Sequence, residues 1–242
     1  MGGAPSPRFD RSRGEGTPPT FSSTAKLFCL VPFLEKLLRV KWFVLAVIAL
    51  PGLWPAWPLW QQNPSVLADP LKFILHHFGF WACVWLAVVL TFTPLRVLFP
   101  KSGLALALNR HRRLVGVSAF VYAALHFATH LVYEGGFAIL ASDIKKPFLL
   151  TGLIAFTILL VLAITSLHAA VRWLGGKRWK NLHRLAYVAA ALAAYHQAAA
   201  RKIFPVQVLL IFGPLVALEL MRVVRLAGRQ SASRPVAAPT RE

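Results

Sequence analysis

Acidic side chains are scarce in this chain. Eight Asp and Glu stand against 27 Lys and Arg in 242 residues, a formal charge of +19, yet charged residues of both signs make up only 14%. That is well under the roughly 25% of a soluble domain. Cysteine is nearly absent: Cys29 and Cys83 form no metal spacing and no disulfide framework. There is no P-loop, Gly-x-Gly-x-x-Gly, zinc spacing or nucleophile motif, so the common nucleotide, zinc and acyl-transfer chemistries lack their residues. No strand pattern and no repeat of 20–50 residues stands out. The apolar piece 27–34 runs into Glu35 and Lys36 without an Ala-x-Ala site, which argues against a cleaved signal peptide.

What remains is apolar. Hydrophobic residues are 57% of the chain and mean hydropathy is +0.60, the signature of an integral membrane protein. In a soluble chain the positive charge would suggest nucleic acid; here it lies between apolar runs and fits anchoring to a lipid bilayer, so no nucleic-acid partner is expected. Residues 1–26 are rich in Gly, Pro, Ser, Thr and Arg, and 1–36 as a whole read as a disordered cytoplasmic tail. Residues 37–226 read as one all-α, six-transmembrane-helix bundle, and 227–242 as a second cytoplasmic tail. The six spans are predicted at about 42–60, 71–93, 114–133, 148–171, 182–200 and 203–221, each near the length that crosses a bilayer. Pro51, Pro55 and Pro58 predict a kinked or early-ending first span. Pro94 marks the exit of the second, and Gly175-Gly176 reads as a plain turn between the fourth and fifth.

Charge sets the orientation. Of the 27 Lys and Arg, 22 fall before the first span, after the sixth, between spans two and three, or from Arg172 to Arg184 around the start of span five; five fall elsewhere. Both termini are therefore expected in the cytoplasm, which six spans satisfy. Aromatic belts are expected from Trp173 and Trp179 inside and Trp54, Trp57 and Trp60 outside.

Orientation converts position into depth at about 1.5 Å per residue. His126, on a rising span, lies roughly 18 Å up, and His196, on another, roughly 21 Å up. Imidazoles within a bilayer are functional candidates by default, and the simplest role for neutral imidazole is to ligate a haem iron. His126 with His196 meets the need for two ligands at one depth on facing helices. His183 lies near the cytoplasmic end, as ligand, part of an electron path, or headgroup-level histidine; His168 and His111 are its candidate partners. His183 and His196 are about 220° apart around an ideal helix, so either they serve different gaps or a local irregularity re-aims one. His77 is a ligand, a quinone contact or an interfacial polar residue. His76 reads as interfacial, and His130 and Tyr133 as polar filling. Arg201 and Lys202 follow His196, where they could hold haem propionates or lipid phosphates.

Read together, ADPLKFILHHFG (68–79), FTPLR (92–96), RRLVGVSAFVYAALHF (112–127), TS (165–166) and GKRWKNLHRLAYVAAALAAYH (176–196) resemble MsrQ, the haem-binding membrane subunit family of the methionine-sulfoxide reductase system, within the ferric-reductase-like transmembrane group. The resemblance runs from about Trp42 to Arg225. It implies a bacterial inner-membrane protein with haem b, and admits flavin mononucleotide (FMN). Its electrons would come from quinol or a cytosolic flavin reductase. They would pass to a periplasmic molybdopterin-containing methionine-sulfoxide reductase that repairs oxidised envelope proteins. His126, His183 and His196 match the family's haem-linked histidines, and His77 matches the histidine of its second-span motif. The alternatives are a stand-alone ferric or quinone reductase on the same scaffold, and a transporter whose histidines carry protons. The chain after Arg225 is too short for a soluble flavin or NAD(P)H domain, which argues against a complete reductase. No inverted repeat supports the transporter.

Overall fold

The computed structural model describes residues 2, 35–200 and 206–232. Every regular element among them is helical. We name the six longest apolar helices α1 (Lys41–Leu53), α2 (Pro70–Leu98), α3 (Arg112–Tyr133), α4 (Pro147–Ile164), α5 (Leu185–Ala199) and α6 (Val206–Ala232). Shorter helices at Ala56–Trp60, Pro64–Leu67, Gly103–Arg110 and His168–Leu182 join them.

Local chemistry explains the boundaries. α2 starts at Pro70, whose missing N–H costs nothing in a first turn, behind Asp69, whose Oδ1 accepts from Lys72 N at 3.0 Å. α3 stops where Gly135 (φ 89°) and Gly136 (φ 106°) adopt left-handed backbone, and Gly136 N reaches back to Leu131 O at 2.6 Å, a glycine helix stop. At the end of α4 the hydroxyls of Thr165 and Ser166 bond the Val161 and Leu162 carbonyls at 2.7 and 2.8 Å; Val161 O also accepts the Thr165 amide at 3.0 Å, while Leu162 O is a helix-end carbonyl satisfied by a hydroxyl.

Several boundaries differ from the sequence reading. The first helix ends at Leu53 and a second piece begins at Ala56, as the prolines predict. α2 does not exit at Pro94 but continues to Leu98. Pro94 is fully buried, and neighbouring helices hold a helix together across a missing amide. The fourth span stops at Ile164, and His168 opens a separate helix instead of ending that span. Gly175, at φ 73° and ψ 156°, kinks that separate helix, a backbone state that favours glycine.

Among the described residues, four helices are long and apolar enough to cross a membrane: 70–98, 112–133, 147–164 and 206–230. The chain is thus a multi-pass membrane protein. α1 has 13 residues and α5 has 15, short of the roughly 20 that a crossing helix uses.

α2 is the central helix. It packs along α3 and touches α5 and α6, while α4 packs along α5 and against α3. Trp85, Leu86, Leu90 and Phe92 of α2 meet Val115, Ala119 and Tyr122 of α3 in the core, with Ala189 and Ala190 of α5 and Phe212 and Leu215 of α6. Ala119 and Ala189 are completely buried; small side chains let helices approach in a membrane bundle. Large apolar side chains elsewhere, such as Leu210 and Val224 of α6, face outward, where lipid replaces water as solvent. α1 is tied to α3 by Tyr122 Oη, which donates to Ile48 O at 2.6 Å. Tyr122→Phe is expected to cost about 0.6–1.7 kcal/mol, the range of interhelical hydrogen bonds in membranes, read as a lower melting temperature in detergent.

Candidate cofactor site: a histidine pair between four helices

His126 sits on α3 and His196 in the last turn of α5. Both line one cavity of about 340 Å³ enclosed by α2, α3, α4 and α5, within the size range of small-molecule and cofactor sites. Its walls are apolar, with Phe80 and Leu86 from α2, and Phe127 and Phe156 stacked at 4.8 Å across α3 and α4. Its polar lining includes His76, His130, Glu134, Lys146 and Gln197. Gln197 Oε1 is buried with no hydrogen-bond partner among the described residues.

The His126 and His196 ring centres are 6.1 Å apart, with planes at 76°. Each Nδ1 is held by a backbone carbonyl of a neighbouring helix. His126 Nδ1 donates to Leu75 O on α2 at 2.9 Å, and His196 Nδ1 donates to Phe148 O on α4 at 2.7 Å. A carbonyl can only accept, so the proton sits on Nδ1 in both rings and Nε2 carries the lone pair. This is the arrangement that prepares imidazole as a metal ligand.

The expected haem fits these residues. Among the described residues no group of three or more His, Cys, Asp or Glu could hold a metal ion. Two imidazoles alone fall short of the ligand set of a bare protein-bound metal. They do suit an iron whose other four positions belong to a porphyrin. The ring centres, 6.1 Å apart, leave space for one metal atom between the two imidazoles.

The other predicted residues lie elsewhere. His77, on α2, does not line this cavity. Its Nε2 donates to Pro51 O at 2.7 Å, and its ring stacks on Trp54 at 5.6 Å. It borders a shallow depression with Asp69, Lys72, His76 and Gln207. His183 caps the His168–Leu182 helix. Its ring stacks on Trp179 at 4.0 Å, and its Nε2 lies 3.4 Å from Thr165 Oγ1. The backbone irregularity is at His183 and Arg184, between that helix and α5. Trp179 is not a belt residue: its indole turns inward and donates to Thr165 O at 3.0 Å. His168 accepts from Arg113 at 2.9 Å, and His111 donates to Leu38 O at 2.6 Å; neither ring is brought to His183. Arg201 and Lys202 lie outside the described residues.

Sequence reasoning missed part of the cavity's polar lining. Lys146 and Glu134 lie in the connection between α3 and α4, where no helix rise converts sequence into depth. Gln197 follows His196 directly; its adjacency was the available signal. His76 lines the cavity even though its Nδ1 is occupied by its own helix, at 2.7 Å from Lys72 O.

Comparison with known proteins agrees with this architecture. The family described as the ferric reductase like transmembrane component matches residues 78–194. The chain is 37% identical over 199 residues to the protein-methionine-sulfoxide reductase heme-binding subunit MsrQ of Brucella anthropi, covering 80% of this chain and 87% of that one. It is 36% identical over 203 residues to the MsrQ of Brucella ovis, covering 76% and 90%.

Proposed function

Because the chain belongs to the MsrQ family of haem-binding subunits of protein-methionine-sulfoxide reductase, we propose that it is the membrane electron-transfer subunit of such a reductase. In this reading it holds haem b between His126 and His196 in the bacterial inner membrane. It accepts electrons from quinol or a cytosolic flavin reductase and delivers them to a periplasmic molybdopterin-containing methionine-sulfoxide reductase subunit, for repair of oxidised envelope proteins. Haem, when bound, supplies a one-electron carrier that cycles between ferric and ferrous iron.

The chain's residues do the rest. His126 and His196 would hold the haem iron through their Nε2 atoms, each kept in place by its Nδ1 bond to a carbonyl. Phe80, Leu86, Phe127 and Phe156 keep water from the ring faces. Lys146, with Arg201 and Lys202, would meet the anionic propionates. His183, beside the basic inner segment Arg172–Arg184, belongs to the path by which electrons arrive. His77 is assigned to a contact with quinone or a second cofactor. FMN, if held, belongs at the basic inner face. The observation that carries the reading is the imidazole pair: rings 6.1 Å apart, each with Nδ1 committed to a carbonyl.

The test is the purified protein itself. Stoichiometric haem and a low-spin band that sharpens on reduction are expected; a colourless protein from haem-replete cells would sink the proposal. The same reading has six passes and both termini in the cytoplasm, supported by the grouping of 22 of the 27 basic residues at the two ends and in alternate connections. A reporter fused after Glu242 should be active only in its cytoplasmic form, and activity only of a periplasmic reporter would reverse the topology.

A further inference from the structure

In an α-helix the carbonyl of residue i accepts from the amide of residue i+4. Each Cβ tilts toward the helix N-terminus, so the side chain at i+4 lies over that carbonyl. A side chain from a neighbouring helix reaches the oxygen's second lone pair most readily where this cover is missing.

Both histidines reach such a carbonyl, and in both cases the residue four further on is glycine. His126 Nδ1 bonds Leu75 O, and a Cβ built on Gly79 would sit 2.8 Å from that Nδ1. His196 Nδ1 bonds Phe148 O, which also accepts from Thr151 Oγ1 at 2.8 Å, and a Cβ on Gly152 would sit 2.6 Å from that Nδ1. Real Cβ contacts do not come this close. The spacing recurs away from the cavity: Tyr122 Oη bonds Ile48 O, and a Cβ on Gly52 would sit 2.9 Å from that oxygen. By contrast, Gly116 on α3 meets only Val89 Cγ2, at 3.8 Å. Gly103 is tight for another reason, lying against the Glu35 carboxylate; the tight glycines inside α1, α2 and α4 are the ones with a side chain bonded to the carbonyl four residues back.

We infer that Gly79 and Gly152 are positioning residues for the cofactor ligands: by lacking a Cβ they uncover the Leu75 and Phe148 carbonyls, which hold His126 and His196 by Nδ1 and leave Nε2 as the ligating atom. This rests on the haem reading above. The glycine and the carbonyl act together. A methyl at either position pushes the ring off its carbonyl, and the imidazole then loses both its fixed tautomer and its aim. The carbonyl bond also raises the basicity of the ligating nitrogen, so the pair sets the electron density at the iron as well as ring orientation.

Two readouts on the full-length protein in detergent test this. Gly79→Ala and Gly152→Ala are each expected to weaken haem affinity about tenfold or more, the loss typical when a ligand's outer partner is removed, read as faster loss of haem to an excess of apomyoglobin and a lower haem-to-protein ratio. Haem that remains should show an altered low-spin spectrum. Gly52→Ala, which meets Tyr122 instead of a ligand, should keep full haem. The second readout is melting temperature in a double-mutant cycle. Gly152→Ala should lower it in the parent chain. In a His196→Ala background it should leave it unchanged or raise it, since Ala is the better helix former once the ring is gone. Gly79→Ala should behave the same way with His126→Ala. Full haem with an unchanged spectrum in both glycine variants overturns the inference. So does an equal melting-temperature loss with and without the imidazole, which would make the glycines mere helix-packing residues. The cycle needs no haem, so a chain that never takes haem would sink the earlier reading and leave the contact between ring and glycine still measurable.

Discussion

His126→Ala and His196→Ala are each expected to strip the purified protein of its haem, leaving about a tenth or less of the parent content, while His130→Ala keeps it. The asymmetry follows from geometry. His126 and His196 face each other at 6.1 Å and have their Nδ1 atoms anchored to carbonyls of α2 and α4. His130 lies one turn further along α3 and lines the same cavity. It cannot take the place of His126 without unwinding that turn, because a helix fixes a rise of about 1.5 Å per residue. Removing one imidazole would also leave its own coordination position on the iron open to solvent or oxygen. Any residual haem should therefore change from a low-spin to a high-spin spectrum. Haem content and reduced spectra of the three variants decide the matter. If both His126→Ala and His196→Ala retain full haem with a low-spin spectrum, the axial pair is wrong, and most of the site assignment goes with it.

His183→Ala should give the opposite split: the haem between His126 and His196 stays, but its reduction by a cytosolic donor slows about tenfold or more. His183 is remote from the pair. It lies where the His168–Leu182 helix gives way to α5, against Trp179 and close to Thr165. Its neighbours in sequence include Arg178, Lys180 and Arg184, a basic surface that suits an anionic flavin or an acidic donor protein. The measurement is the rate of haem reduction by an inner-side donor, set beside chemical reduction with dithionite. Dithionite should reduce parent and variant alike. Loss of the low-spin band itself in His183→Ala would instead make His183 a ligand of the same haem, contrary to this arrangement. Salt should slow the donor reaction in the parent chain, since exposed charge attraction is screened over about 8–10 Å at moderate ionic strength.

The sequence by itself determined the helical membrane class, because runs of apolar residues broken by Lys and Arg have no stable aqueous fold. It also determined which histidines share a level. Depth along a helix is one-dimensional, so counting residues from a common face brought His126 and His196 together. Rotation about the helix axis is different, since it depends on which neighbour packs where. Only the tertiary structure decided that His77 turns toward Pro51 and Trp54, that Trp179 folds inward onto His183, and that His168 pairs with Arg113. Pro94 shows the same division. Its lost amide signals a helix end, yet burial against other helices carries α2 on to Leu98. The glycines show it most clearly. Gly79 and Gly152 are unremarkable letters in two apolar runs. Their meaning appears only when α3 lays an imidazole against α2, and α5 lays another against α4, each over a carbonyl that a Cβ would have covered.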